Sequence, residues 1–235
     1  LSANQVEEIG LAAGNLATAG IDHLNISLAD SGNAGYADDL AGLLGGANQD
    51  ALNALHNAGL DGTIDLGGSA ITGAVSIDQG QALTLIADGL HFASDDSITL
   101  EFDAAQGTHL GTSLKELSKL GVDTVLVSGA DAINIDLGTG TGSATDALGS
   151  LPTFDGLDVT LNLNANQVEE IGSAAANLAA AGIDHLNISL GDSGNAGYAD
   201  DLAGLLGGAN QDALNALHNA CLLYTSPSPR DAHES

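Results

Sequence analysis

Apolar positions along the chain follow two different periods. Val168, Ile171, Ala175 and Leu178, like Leu110, Leu114, Leu117 and Leu120, recur every three or four residues, the spacing of one helix face. Elsewhere the period is two. Leu24, Ile26 and Leu28 alternate with Asn25 and Ser27, Ile98, Leu100 and Phe102 with Thr99 and Glu101, and Val159, Leu161 and Leu163 with Thr160 and Asn162. Such alternation predicts strands with one face in the core and one in water.

Where one period gives way to the other, a triplet recurs: Gly, then an aliphatic residue, then Asp. It starts at Gly20, Gly59, Gly121, Gly156 and Gly182. A Gly just past a helix can take the left-handed conformation that satisfies the last carbonyls, so each triplet predicts a helix stop and a strand start. Asn4 and Asn166, three residues ahead of Glu7 and Glu169, are expected to cap the helices behind them. Residues 123–138 read as two short strands.

Strand, helix and strand in one sheet imply parallel pairing through right-handed crossovers. Parallel strands covered on both faces are normally apolar throughout, and these alternate. The expected fold is therefore α/β, with repeated strand-helix units forming an open parallel, solenoid-like sheet that carries helices on one face. The other face, rich in Asn, Thr, Ser, Asp and Glu, is where a ligand is expected.

Self-comparison strengthens that reading. Residues 3–58 return as 165–220 without a gap, and the copies differ only at Leu11/Ser173, Gly14/Ala176, Thr18/Ala180 and Ala29/Gly191. A more distant duplication aligns 98–128 on 159–189. The expected organisation is a first unit over 1–164, a partial second unit over 165–220 and a foreign tail over 221–235. The run CLLYTSPSPRD, Cys221–Asp231, resembles residue by residue the translation of a transposase-type sequencing-library adapter and is set apart from fold reasoning. The chain opens on Leu1 and has no Met, so both ends are expected to be cuts.

Charge narrows the function. The chain carries a formal net charge of −28. Without Arg230, Asp231 and Glu234 of the tail, Lys115 and Lys119 stand against 29 acidic residues. Such a chain repels phosphate backbones and anionic lipid, which disfavours nucleic-acid and peripheral membrane binding. Divalent cations and basic partners remain suitable. No apolar run is long enough to span a bilayer.

The alanine-rich, Lys-poor units with the strands GIDHLNISL and GVDTVLVSG resemble the repeats of giant secreted or surface proteins of Gram-negative bacteria, large adhesins among them. The resemblance implies an extracellular or cell-surface location and a role in extension or adhesion.

Candidate chemistry is sparse. DSGNAGYADD at 30–39 and 192–201 gathers carboxylates at close spacing, which suits a hard cation such as calcium. The candidate ligands are Asp30, Asp38, Asp39, Asp192, Asp200 and Asp201; the competing reading is a turn leading into an acidic first helical turn. LGGANQDALN at 44–53 matches a calcium-binding nonapeptide at Gly45, Gly46, Asp50 and Leu52 but departs at Asn48, and no tandem copy follows. GDSG at 191–194 lacks recognisable His and Asp partners for a serine nucleophile. GTGTGS at 138–143 ends on Ser143 where a dinucleotide loop needs Gly. The six His residues outside the tail show no metal-ligand spacing.

No enzyme is expected and no cofactor is implied beyond calcium. The leading expectation is a structural or adhesive tandem-repeat segment of a long acidic extracellular bacterial protein, whose partners are neighbouring repeats and a surface ligand or glycan. The alternatives are a calcium-stabilised repeat module and a carbohydrate-active solenoid enzyme using two carboxylates.

Overall fold

The computed structural model describes residues 1–28, 36–67, 74–138, 148–190 and 198–220. The fold there is mixed α/β, and every strand pairing is parallel. The first sheet holds β1 (His23–Ser27), β2 (Asp61–Asp65) and β4 (Leu90–Phe92). The second holds β3 (Val75–Asp78), β5 (Ile98–Asp103) and β6 (Thr124–Ser128), and the third β7 (Ala132–Asp136), β8 (Asp158–Asn164) and β9 (His185–Ser189). Within each sheet, spatial order follows chain order. None of them closes on itself among the described residues.

Three sheets stand where the alternation alone suggested one. Residues 123–138 do hold two strands, as expected, but only residues 129–131 separate β6 from β7, with Gly129 at φ 84°. A parallel neighbour in the same sheet needs a crossover of about a dozen residues or more. The two strands therefore part company: β6 pairs back onto β5 and β7 forward onto β8.

The helices are α1 (Ala3–Gly10), α2 (Ala13–Thr18), α3 (Tyr36–Leu43), α4 (Gly46–Asn57), α5 (Gln79–Ala87), α6 (Leu114–Leu120), α7 (Val168–Gly172), α8 (Ala175–Ala181), α9 (Tyr198–Leu205) and α10 (Gly208–Asn219). All five triplet glycines have φ between 74° and 89°, and Gly121 and Gly182 close α6 and α8 in the left-handed conformation. Gly156 differs, since residues 148–155 form no helix and it simply turns the chain into β8.

Two expected helix starts are displaced. Gln5 Oε1 accepts the Ser2 N–H at 2.9 Å, and Gln167 Oε1 the Asn164 N–H at 2.9 Å. The helical turns thus begin just after Ser2 and Asn164, and Asn4 and Asn166 lie inside them, with Glu7 and Glu169 in water. A Gln three residues after the cap completes the return half of a capping box. Leu110 likewise lies ahead of α6 rather than in it, because Ser113 caps that helix, yet Leu110 is buried.

Alternation sorts the strand side chains largely as expected, although Thr99 of β5, expected on the water face, is buried. Ile26, Ile64 and Phe92, then Ile77, Leu100 and Val125, then Ile135, Leu161 and Leu163 face the core. The triplet Asp residues join neighbouring strands. Asp123 Oδ2 accepts the Ile98 N–H at 2.8 Å and Asp184 Oδ2 the Val159 N–H at 3.0 Å, each reaching a strand 25 residues earlier. These are equivalent positions of the duplication that aligns 98–128 on 159–189.

The near-identical copies form the same local structure. Gly10 packs on Ala51 where α1 meets α4, and Gly172 on Ala213 where α7 meets α10. Their burial differs at the ends. Ile21 is 39% exposed and its copy Ile183 is 2% exposed; Leu40 is fully buried and its copy Leu202 is 45% exposed. Residues 148–164 lie against the second copy, with the Phe154 N–H donating to Ala181 O at 2.9 Å. Only Leu1 and Ser2 hold the equivalent place beside the first, where Ser27 N–H donates to Leu1 O at 2.6 Å. At the other end α3 packs on β3, and among the described residues α9 has no such strand.

Candidate functional site

Of the six candidate calcium ligands, Asp30 and Asp192 lie outside the described residues. Asp38 and Asp39 occupy the first turn of α3, where carboxylates complement the helix dipole. Asp200 and Asp201 fall in the equivalent turn of α9. Among the described residues no cluster of three or more His, Cys, Asp or Glu side chains is placed to hold a metal ion.

The nonapeptide-like segment is helical. Gly45 precedes α4 as its cap, Asp50 lies within the helix and Leu52 is buried in the core. GDSG at 191–194 lies outside the described residues, as does GTGTGS beyond Gly138.

Among the described residues an open cleft of about 440 Å³ forms where the third sheet meets the loop ahead of α6. Its wall is built by two local rules. Ser113 and Glu116 form a reciprocal cap, with the Ser113 N–H and Oγ donating to Glu116 Oε2 at 2.8 and 2.7 Å, and this fixes the loop. In-register pairing then lines up Asp136, Asn162 and Asn187 on the open face of the sheet.

That row is hydrogen-bonded end to end. Asn187 Nδ2 donates to Asn162 Oδ1 at 2.9 Å, and Asn162 Nδ2 to Asp136 Oδ1 at 3.2 Å. His109 Nε2 also lies 3.2 Å from Asp136 Oδ1. The expected polar sheet face is therefore a ladder rather than a set of independent side chains.

One buried oxygen in the cleft wall has no partner, Thr112 Oγ1, on a residue only 1% exposed; Asn164 instead turns its side chain to the Gln167 N–H as the other half of the capping box. A buried polar atom without a hydrogen bond costs about 1–3 kcal/mol, so such atoms favour a donor from outside. Among the described residues no Lys, Arg or His side chain lines the cleft. The chemistry suits hydroxyl-bearing or cationic ligands and opposes anions.

Both carboxylates of the cleft, Glu116 and Asp136, already accept two hydrogen bonds each. Glu116 is committed to its helix cap. The S-x-x-E pattern at 113–116 was a readable signal for this wall; the unpartnered Thr112 hydroxyl carried no such signal, because its isolation comes from packing.

A second polar row crosses the first sheet. Thr63 Oγ1 lies 2.9 Å from His23 Nε2 and 2.9 Å from His91 Nε2, and the two rings are 5.8 Å apart. One hydroxyl can donate to one ring and accept from the other, which suits two neutral imidazoles of opposite tautomer. Burial lowers the His91 pKa, and the charges of His23 and Lys119 act the same way against Asp61.

No model of a known protein family matches the chain, and no curated protein matches it. No helix among the described residues is long and apolar enough to cross a membrane.

Proposed function

We propose that the chain is a structural segment of a tandem-repeat protein in which successive units stack as an α/β solenoid, helices on one face, with adhesion as its role. The observation that carries this reading is the unequal burial of equal sequences. Ile183 is buried where residues 148–164 precede it, and Ile21 is exposed where they do not; Leu40 is buried where residues 59–92 follow, and Leu202 is exposed where they do not. A unit that needs a neighbour on each side is the energetic signature of a repeat array. Strand order that follows chain order in every sheet supports the same geometry.

The chain's charge of −28 and its resemblance to large surface repeats support an extracellular or cell-surface location. In an array the cleft recurs once per unit. Its unpartnered Thr112 hydroxyl and, among the described residues, its lack of basic groups favour a neutral, hydroxyl-rich ligand such as a surface glycan.

Small-angle scattering from proteins of one, two and three 162-residue units tests the array. The maximum dimension should grow by a constant increment per unit. Growth as the cube root of mass would overturn it.

A further inference from the structure

We propose that His23 and His91 together form a binding site for a divalent transition-metal ion of the zinc class, seated over Thr63 on the open face of the first sheet. The inference stands apart from the tandem-repeat reading, since the whole site lies within residues 23–91.

Backbone register assembles the pair. β2 lies between β1 and β4, and His91 stands opposite Thr63. His23 stands opposite Asp61, two residues before Thr63, and therefore on the same face. Leu90 and Phe92 turn into the core on either side of His91, as Ile64 does beside Thr63, which leaves both rings on the polar face.

Both imidazoles then aim the same nitrogen at one point. His23 Nε2 and His91 Nε2 each lie 2.9 Å from Thr63 Oγ1, with the ring centroids 5.8 Å apart. Zinc binds imidazole nitrogen at about 2.0–2.1 Å, so an ion between the rings needs each nitrogen to close in by less than about 1 Å. His23 is exposed, and a small rotation of its ring supplies most of that shift. Thr63 matters by its size. A longer side chain at the centre of β2 would hold the rings apart, whereas this hydroxyl can swing aside or serve as a weak third donor.

Ligand chemistry sets the class of ion. Imidazole suits zinc, copper and nickel, while calcium and magnesium prefer oxygen ligands. With two imidazole donors, water completes the shell and the ion stays exchangeable. Asp61 brings negative charge towards His91 and Lys119 positive charge; the net charge of −28 raises the concentration of cations around the chain. A bound ion would tie the two outer strands of the sheet together across β2.

The test is a zinc titration of the full chain carrying Cys221→Ser, which keeps the tail thiol from competing, followed by NMR through the histidine ring signals. The His23 and His91 signals should shift together and saturate at one equivalent, ahead of those of His56, His109, His185 and His218. His23→Gln and His91→Gln, which keep a hydrogen-bonding side chain beside Thr63, should each weaken binding at least about ten-fold. Zinc should raise the melting temperature more than magnesium does at equal concentration, and no more than magnesium in either variant. If His23 and His91 shift no earlier than the other rings, or if either substitution leaves the affinity unchanged, the site is wrong. The ring titration needs no His variant and decides the question even where a substitution impairs folding.

Discussion

The Asp184 carboxylate accepts the backbone N–H of Val159 at 3.0 Å, tying the start of β9 to the start of β8. Asp123 does the same for Ile98. Hydrogen bonds to charged groups are worth about 1.5–3 kcal/mol, so Asp184→Ala should cost about 2 kcal/mol. Asp184→Asn, which keeps an acceptor, should cost less. Urea midpoints measure both, and equal losses would show that the clamp is not the source.

Gly172 leaves no room for a side chain. A Cβ added there would lie 2.6 Å from Ala213 Cα, and overpacking of this kind costs about 1–3 kcal/mol. Gly172→Ala and Gly10→Ala should both lower the melting temperature. Gly14 has open space around it and is Ala176 in the second copy, so Gly14→Ala should stabilise α2 by about 0.5–1 kcal/mol. Opposite signs in one calorimetric series check the distinction.

Lys115 is buried and its ammonium pairs with Glu170 across from α6 to α7. Removing Glu170 takes a carboxylate away from a buried ammonium, and breaking a buried pair is strongly destabilising. Glu170→Ala should therefore destabilise clearly, while Lys115→Met together with Glu170→Leu should recover most of the loss. Chemical denaturation of the single and double variants measures the difference.

The lowered pKa of His91 fixes the sign of a pH effect. A His whose folded pKa is depressed contributes stability that is present in full above its ordinary value of 6.5 and is lost as pH falls from there through the lowered value. Stability should thus decline on acidification below about 6.5, and His91→Gln should flatten that part of the profile. Urea midpoints taken from pH 7.5 down to 5 measure it; an unchanged slope would exclude His91 as the source.

Self-repulsion in a chain of charge −28 should make the melting temperature rise with ionic strength. Magnesium and calcium should act alike at equal concentration if they only screen. A calcium-selective rise in thermal melts would instead point to ligands in the Asp-rich segments at Asp30 and Asp192.

Periodicity, the glycine triplets and the two internal alignments determined by themselves that this is an α/β chain of strands and helices in repeated order. They also marked the core residues of β5 and β8. These were legible because they depend on local backbone rules and on side-chain alternation, both of which operate within a few residues. Three-sheet partition was not legible in the alternation, since alternation marks which face of a strand is buried and not which strand it pairs with; the short link between β6 and β7 was the one sequence feature that bore on it. Nor was the cleft, which brings Thr112 and Asn164 together from segments about 50 residues apart. Sequence identity between the copies made Ile21 and Ile183 equivalent; only tertiary structure made one exposed and the other buried, because burial depends on the neighbour and not on the residue.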